Sequence, residues 1–343
     1  MSGLNKERVL RPLNAQWACE LPDFIRTLEA SPDGQWLAVG DASGAISLLS
    51  CASGELRQQW TPSSEPVDTL YWPTADHLLG TAGNQVFLEE LSGDAPQRQL
   101  DLEVDAFWIE DLTLGPQGDR FALCAKKTAS VYQLDGTLLF ETPEHHTTIS
   151  GLAFMGPRRL ATACYGHVHI WDIASGEEAH QFNWKGSLFR PHPSPDAKVV
   201  ACGCQDNSIH FWRVTSGKDS QMTGYPGKPN HLDWSHDSTL LATASSRILL
   251  TWDFSGDGPE NTKPYVLDMH DTPITAMAFH PQKPIVLSGD EEGMALLWKP
   301  RTDEMPFAFT TLTSSLSELH WHPDGQTFFL GSETGQLGRF QLG

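Results

Sequence analysis

Residues 274–299 read ITAMAFHPQKPIVLSGDEEGMALLWK. An apolar run, Ile274–Phe279, ends at a His-Pro turn. A second run, IVLSG from Ile285, ends at an acidic turn containing Gly293. A third closes on Leu296-Leu297-Trp298-Lys299. Runs this short, punctuated by Pro, Asp and Gly, are strands rather than helices.

The same three-run unit recurs on both sides of this stretch. Upstream the first strands are IRTLEA from Ile25, VDTLYW from Val67, IEDLTL from Ile109, ISGLAF from Ile149, LFRPHP from Leu188 and PNHLDW from Pro229. Downstream comes LSELHW from Leu316. Start-to-start spacings are 42, 42, 40, 39, 41, 45 and 42. A period near 42 is the length of a four-stranded propeller blade. Ser31-Pro32-Asp33-Gly34 and His322-Pro323-Asp324-Gly325 supply turns in which Pro presets φ and Gly tolerates positive φ.

Third strands end in Trp171-Asp172 and Trp252-Asp253, and Trp212 and Trp298 keep the tryptophan alone. His145 and His270 each stand four residues before a first strand, and Asp206 falls in a second turn. On these residues the chain resembles the WD40-repeat family over about residues 8–343. The resemblance implies an all-β, closed eight-bladed WD40-like β-propeller of four-stranded blades, one domain over residues 1–343. A seven-bladed ring is the alternative. The eighth repeat reaches Gly343 without a fourth strand, so the N-terminal segment at about 8–20, near Leu13–Cys19, is expected to supply it. An open edge would leave backbone groups unpaired.

Composition narrows function. The formal net charge is −20, with the acid spread along the chain. This disfavours nucleic acid and anionic membrane surfaces, which need clustered Lys and Arg. The basic pairs Lys126-Lys127 and Arg158-Arg159 read as solvated turns. The N-terminus MSGLNKERVLRPLN lacks an apolar core, which predicts no secretory signal. No apolar run is long enough to predict a membrane-spanning helix. Six cysteines in 343 residues do not suggest a disulfide framework, so a cytoplasmic location is expected.

Family resemblance places the loops between fourth and first strands, and between second and third, on the usual partner-binding face. In repeats three to five those loops carry Phe107, Trp108, His145, His146, Tyr165, His167, Trp184, Phe189 and Arg190. Exposed aromatics and Arg dominate protein interfaces. The first expectation is therefore a non-enzymatic protein-interaction scaffold. Strand alternation raises a second. Facing the channel are Thr27, Thr69, Asp111, Gly151, Arg190, His231, Ala276 and Glu318, then a lower ring that includes Glu29, Tyr71, His192, Asp233 and His320, then His280 and His322. His192, His231, Asp233, Glu318 and His320 could hold a divalent metal or small ligand. A hydrated polar channel is the plainer expectation, with no cofactor. Cys202, Cys204, Cys124 and Cys164 read as core, and His167 with His169 lacks a third ligand. No phosphate loop, H-E-x-x-H or local nucleophile motif supports the third reading, an enzyme or enzyme-associated subunit.

Overall fold

Successive residues of the second strands are mostly small or apolar and buried, as in Trp36–Asp41, His77–Ala82 and Val199–Cys204, so each sheet must be packed from both sides. A ring of sheets satisfies that demand. The structure is a computed structural model and describes residues 10–256 and 258–342. It contains eight antiparallel sheets arranged as blades, which excludes the seven-bladed alternative. Blade 1 runs inward to outward as Ile25–Ala30, Trp36–Asp41, Ile46–Ser50 and Leu56–Trp60, and the pattern repeats to blade 8, which begins at Leu316–Trp321.

Eight apolar clusters lie among the described residues, one at each junction between neighbouring blades. Closure is visible where Ile25, Leu37 and Leu49 of blade 1 pack against Phe329 and Leu337 of blade 8.

The N-terminal segment closes the ring, and it does so in two steps. Trp17–Glu20 is the outer strand of blade 8, antiparallel to Gln336–Gln341. This strand starts later than Leu13. Before it, Arg11–Pro12 runs parallel to Ala308–Thr311 as a fifth strand on blade 7, and the Leu13 N–H donates to the Phe309 carbonyl at 2.8 Å. The segment thus joins blade 7 to blade 8 along the rim. Residues 8 and 9 of the expected closing segment lie outside the described residues.

Side chains also bolt blades together below the channel. His280 Nε2 sits 2.6 Å from the Gly325 carbonyl, and His322 Nε2 sits 2.9 Å from the Gly34 carbonyl. These two histidines are therefore inter-blade ties, a correction to their expected place in the channel. Gly34 is required there: its φ is +71°, and a Cβ would come within 2.5 Å of the His322 ring.

Candidate functional site

The four-residue offset before each first strand explains the top face. In blade 7 that position is His270, fully buried. Its Nδ1 lies 2.7 Å from Asp290 and its Nε2 lies 2.7 Å from the Ser288 hydroxyl, to which Trp298 Nε1 donates at 2.9 Å. Blade 4 keeps part of this network. His145 Nε2 is 3.0 Å from Thr162 Oγ1, and Trp171 Nε1 donates to the same oxygen at 3.1 Å. Burial, with His169 nearby, drives the His145 pKa down to about 4, so the ring ties the blade as a neutral group.

In blade 6 the position is Tyr225, whose hydroxyl oxygen accepts a hydrogen bond from Trp252 Nε1 at 2.8 Å and lies 3.0 Å from Thr243 Oγ1. In blade 5 it is Trp184, stacked on His210 with ring centroids 3.9 Å apart. Sequence reasoning missed Tyr225, and the offset already set by His145 and His270 was the signal that could have found it. It also missed Asp41 and Asp290, which hold their second turns by accepting main-chain N–H groups two and four residues on.

The expected partner-binding residues divide into two groups. Phe107 is 91% exposed, Trp108 59% and Tyr165 57%, and no other Phe, Trp or Tyr among the described residues is exposed. Phe107 and Trp108 lean together, centroids 6.4 Å apart, in the loop between blades 2 and 3. His146, Tyr165, His167, Trp184 and Lys185 line a cavity of about 590 Å3. A second cavity of about 320 Å3 shares Tyr165, Trp184 and Lys185 with the first and is bordered by Ser187, Gln205 and Asp206. His146 and His167 meet edge to face at 4.8 Å, and His167 lies 5.5 Å from His169, which is bonded to Glu178.

Phe189 and Arg190 go elsewhere. Phe189 is half-buried over Gly203, where a Cβ would approach its ring to 3.0 Å. Arg190 turns into the channel and spans a whole blade. Its Nε lies 3.2 Å from Asp111 Oδ2 of blade 3, and the intervening Gly151 of blade 4 leaves the necessary room, since a Cβ there would be 2.9 Å from the Arg190 backbone. The Leu152 N–H donates to the same carboxylate at 2.9 Å.

The remaining channel groups are spread around the ring. His192 and His231 stand on blades 5 and 6. Asp233 accepts N–H groups from Trp234 and from Phe279 of blade 7. On the far side His320 Nδ1 lies 3.6 Å from Glu29 Oε2. Burial pushes Glu29 and Glu318 up to about 8, with mutual repulsion adding to Glu29, and holds His320 down to about 4. Burial, helped by Arg190 and His231, lowers His192 to about 3, and burial raises Asp233 to about 6. Among the described residues no three His, Cys, Asp or Glu side chains converge to hold a metal ion, so the five expected ligands do not form a set. Cys202 and Cys204 are buried in the core between blades 4 and 5, Cys164 is buried at the end of its strand in blade 4, and burial pushes all three thiols up, Cys204 to about 11. Thiols raised in this way are poor nucleophiles at neutral pH.

Comparison with known proteins agrees with this geometry. A family model described as the anaphase-promoting complex subunit 4 WD40 domain matches residues 4–75, and the WD domain, G-beta repeat model matches 189–213 and 261–299. The chain is a β-propeller of eight four-stranded blades, and it belongs to the WD40-repeat family. Transducin beta-like protein 3 of Rattus norvegicus is 23% identical over 271 residues, covering 72% of this chain and 33% of that protein. Eukaryotic translation initiation factor 3 subunit I of Botryotinia fuckeliana is 21% identical over 183 residues, 50% of this chain and 54% of the relative. Telomerase protein component 1 of Mus musculus is 25% identical over 55% of this chain, which is only 7% of its own length. In structure, Saccharomyces cerevisiae Sqt1 matches with a TM-score of 0.82 at 16% identity, covering 96% of this chain and 99% of the other. Propellers of this family are in general non-enzymatic interaction scaffolds.

Proposed function

We propose that this protein is a non-enzymatic, cytoplasmic scaffold that docks protein partners on the loop face of blades 3 to 5. One observation carries the reading: Phe107, Trp108 and Tyr165, the three exposed Phe, Trp and Tyr side chains among the described residues, all stand on that sector. Rings held out in water on rigid loops give contact area at little entropic cost, and they tend to become the anchors of an interface. The paired cavities around Tyr165 and Trp184 offer pockets for a partner's own side chains. Two of the relatives are named as a subunit or a component of something larger, in keeping with this role. The six unpaired cysteines suit a reducing compartment.

The test is a triple variant, Phe107→Ala, Trp108→Ala, Tyr165→Ala. All three rings are exposed, so its melting temperature should match the parent. Quantitative affinity capture from the native cell should then show partners retained by the parent and depleted at least tenfold by the variant. Identical captured sets from the two proteins would overturn the proposal.

A further inference from the structure

The opposite face carries a different kind of site. Beneath blades 7 and 8, the turns after the first and third strands of blade 7 enclose a cavity of about 340 Å3. Its floor is apolar: Ile285, Phe307 and Leu342. Its rim holds Lys283, Lys299 and Arg301, and no carboxylate lines it. That is the reverse of the chain as a whole, in which 43 Asp and Glu outnumber 23 Lys and Arg.

Two of the three cations are uncommitted. Arg301 pairs with Asp253 at 3.1 Å. Lys283 and Lys299 are exposed, and neither pairs with a carboxylate among the described residues. Lys299 Nζ lies over the Phe307 ring, 4.6 Å from its centroid, which holds the ammonium at the cavity edge.

We propose that this cavity is a second docking site whose occupant is an acidic peptide segment with one large apolar side chain flanked by carboxylates. Charge complementarity selects the acid: two unpaired lysines face the solvent over an apolar floor. The floor selects the apolar side chain, because Ile285, Phe307 and Leu342 offer it a surface from which water is released. Two free lysines are too few to hold a run of phosphates against a net charge of −20, so a nucleic acid is excluded as the occupant. The site is independent of the loop-face reading and stands or falls apart from it.

A heptapeptide library displayed on phage should be selected against the full-length protein, with counter-selection on the Lys283→Ser, Lys299→Ser variant. Enriched peptides are expected to carry Asp or Glu within two residues of Leu, Phe or Trp. A synthetic peptide of the enriched sequence should lose affinity at least tenfold on the double variant in calorimetry, and weaken with added salt. The Phe107→Ala, Trp108→Ala, Tyr165→Ala protein should bind it unchanged, which separates this site from the loop face. Replacing the peptide's acids by their amides should also cost at least tenfold on the parent protein, a readout that needs no variant. Absence of acidic–apolar enrichment, or equal affinity in either comparison, overturns the proposal.

Discussion

Blade 7 and blade 5 share one plan and differ in how they are held. In blade 7 the position before the first strand is His270, locked to Asp290 and Ser288, and the blade carries a fifth strand from Arg11–Pro12. In blade 5 the same position is Trp184, which cannot close that network and instead stacks on His210. Their inner strands differ as well. At matching positions blade 7 has Ala276 and Ala278, packed at its junction with blade 8, whereas blade 5 has Arg190 and His192. One register position thus serves either to tie a blade or to build a surface. Where the tie is lost, the freed ring lines the cavities of the loop face.

The largest way to break this comparison is at the N-terminus. Removing residues 1–20 takes away both the fifth strand of blade 7 and the outer strand of blade 8. An exposed edge and the loss of Trp17 and Cys19 from the blade 8–blade 1 junction should follow. We expect loss of the cooperative melt, or a fall of about 10 °C or more. Removing residues 1–14 takes away the two parallel pairs on blade 7 with the Leu13 hydrogen bond and its packing, leaves Trp17–Glu20 in place, and should cost about 2 °C. Equal effects of the two truncations in calorimetry would show that closure does not depend on Trp17–Glu20.

Next in size is the tie itself. His270→Ala leaves Asp290 and Ser288 buried without the imidazole they face. A loss of about 3 kcal/mol is expected, or roughly a 5 °C fall in melting temperature. Trp184→Ala removes a half-buried ring that satisfies no hydrogen bond. It should cost about 1 kcal/mol in stability while weakening capture of loop-face partners. The pair is informative as a crossing: a large stability effect with intact binding at 270, and the converse at 184. Parallel effects would mean that the two positions do the same work.

Much of this was legible in the sequence, for a definite reason. Eight runs in register at a period near 42 can bury their apolar faces only in a ring, so blade number followed from counting Ile25 to Leu316. The shared position of His145 and His270 was legible because their offset is fixed by the loop length above the first strand. Trp184 shares the offset, yet a tryptophan there was read only as a surface group. What escaped the reading depends on contacts between blades. His280 and His322 lie on the channel side by alternation, but the strand has already ended and their rings bend to carbonyls of the next blade. Arg190 reaches Asp111 two blades away only because residue 151 is glycine. No local pattern records such a span.

The smallest predicted effect tests the channel half of the comparison. His192 of blade 5 is walled by neighbouring strands and sits near Arg190 and His231, which together lower its pKa to about 3. In the unfolded chain it takes up a proton near pH 6.5. Between these values the unfolded state binds more protons than the folded one, so the contribution is complete above pH 6.5 and is lost as pH falls toward 3. Channel water screens part of this, and about 1 kcal/mol should disappear between pH 7 and pH 5. His192→Gln keeps a polar side chain without the titration, so its melting temperature should fall less than the parent's over that interval, by about 2 °C. Blade 7, with alanines at the matching positions, can contribute nothing of the kind. If the two proteins lose stability in parallel on acidification, the imidazole is protonated in the folded channel and blade 5 is no more acid-sensitive than blade 7.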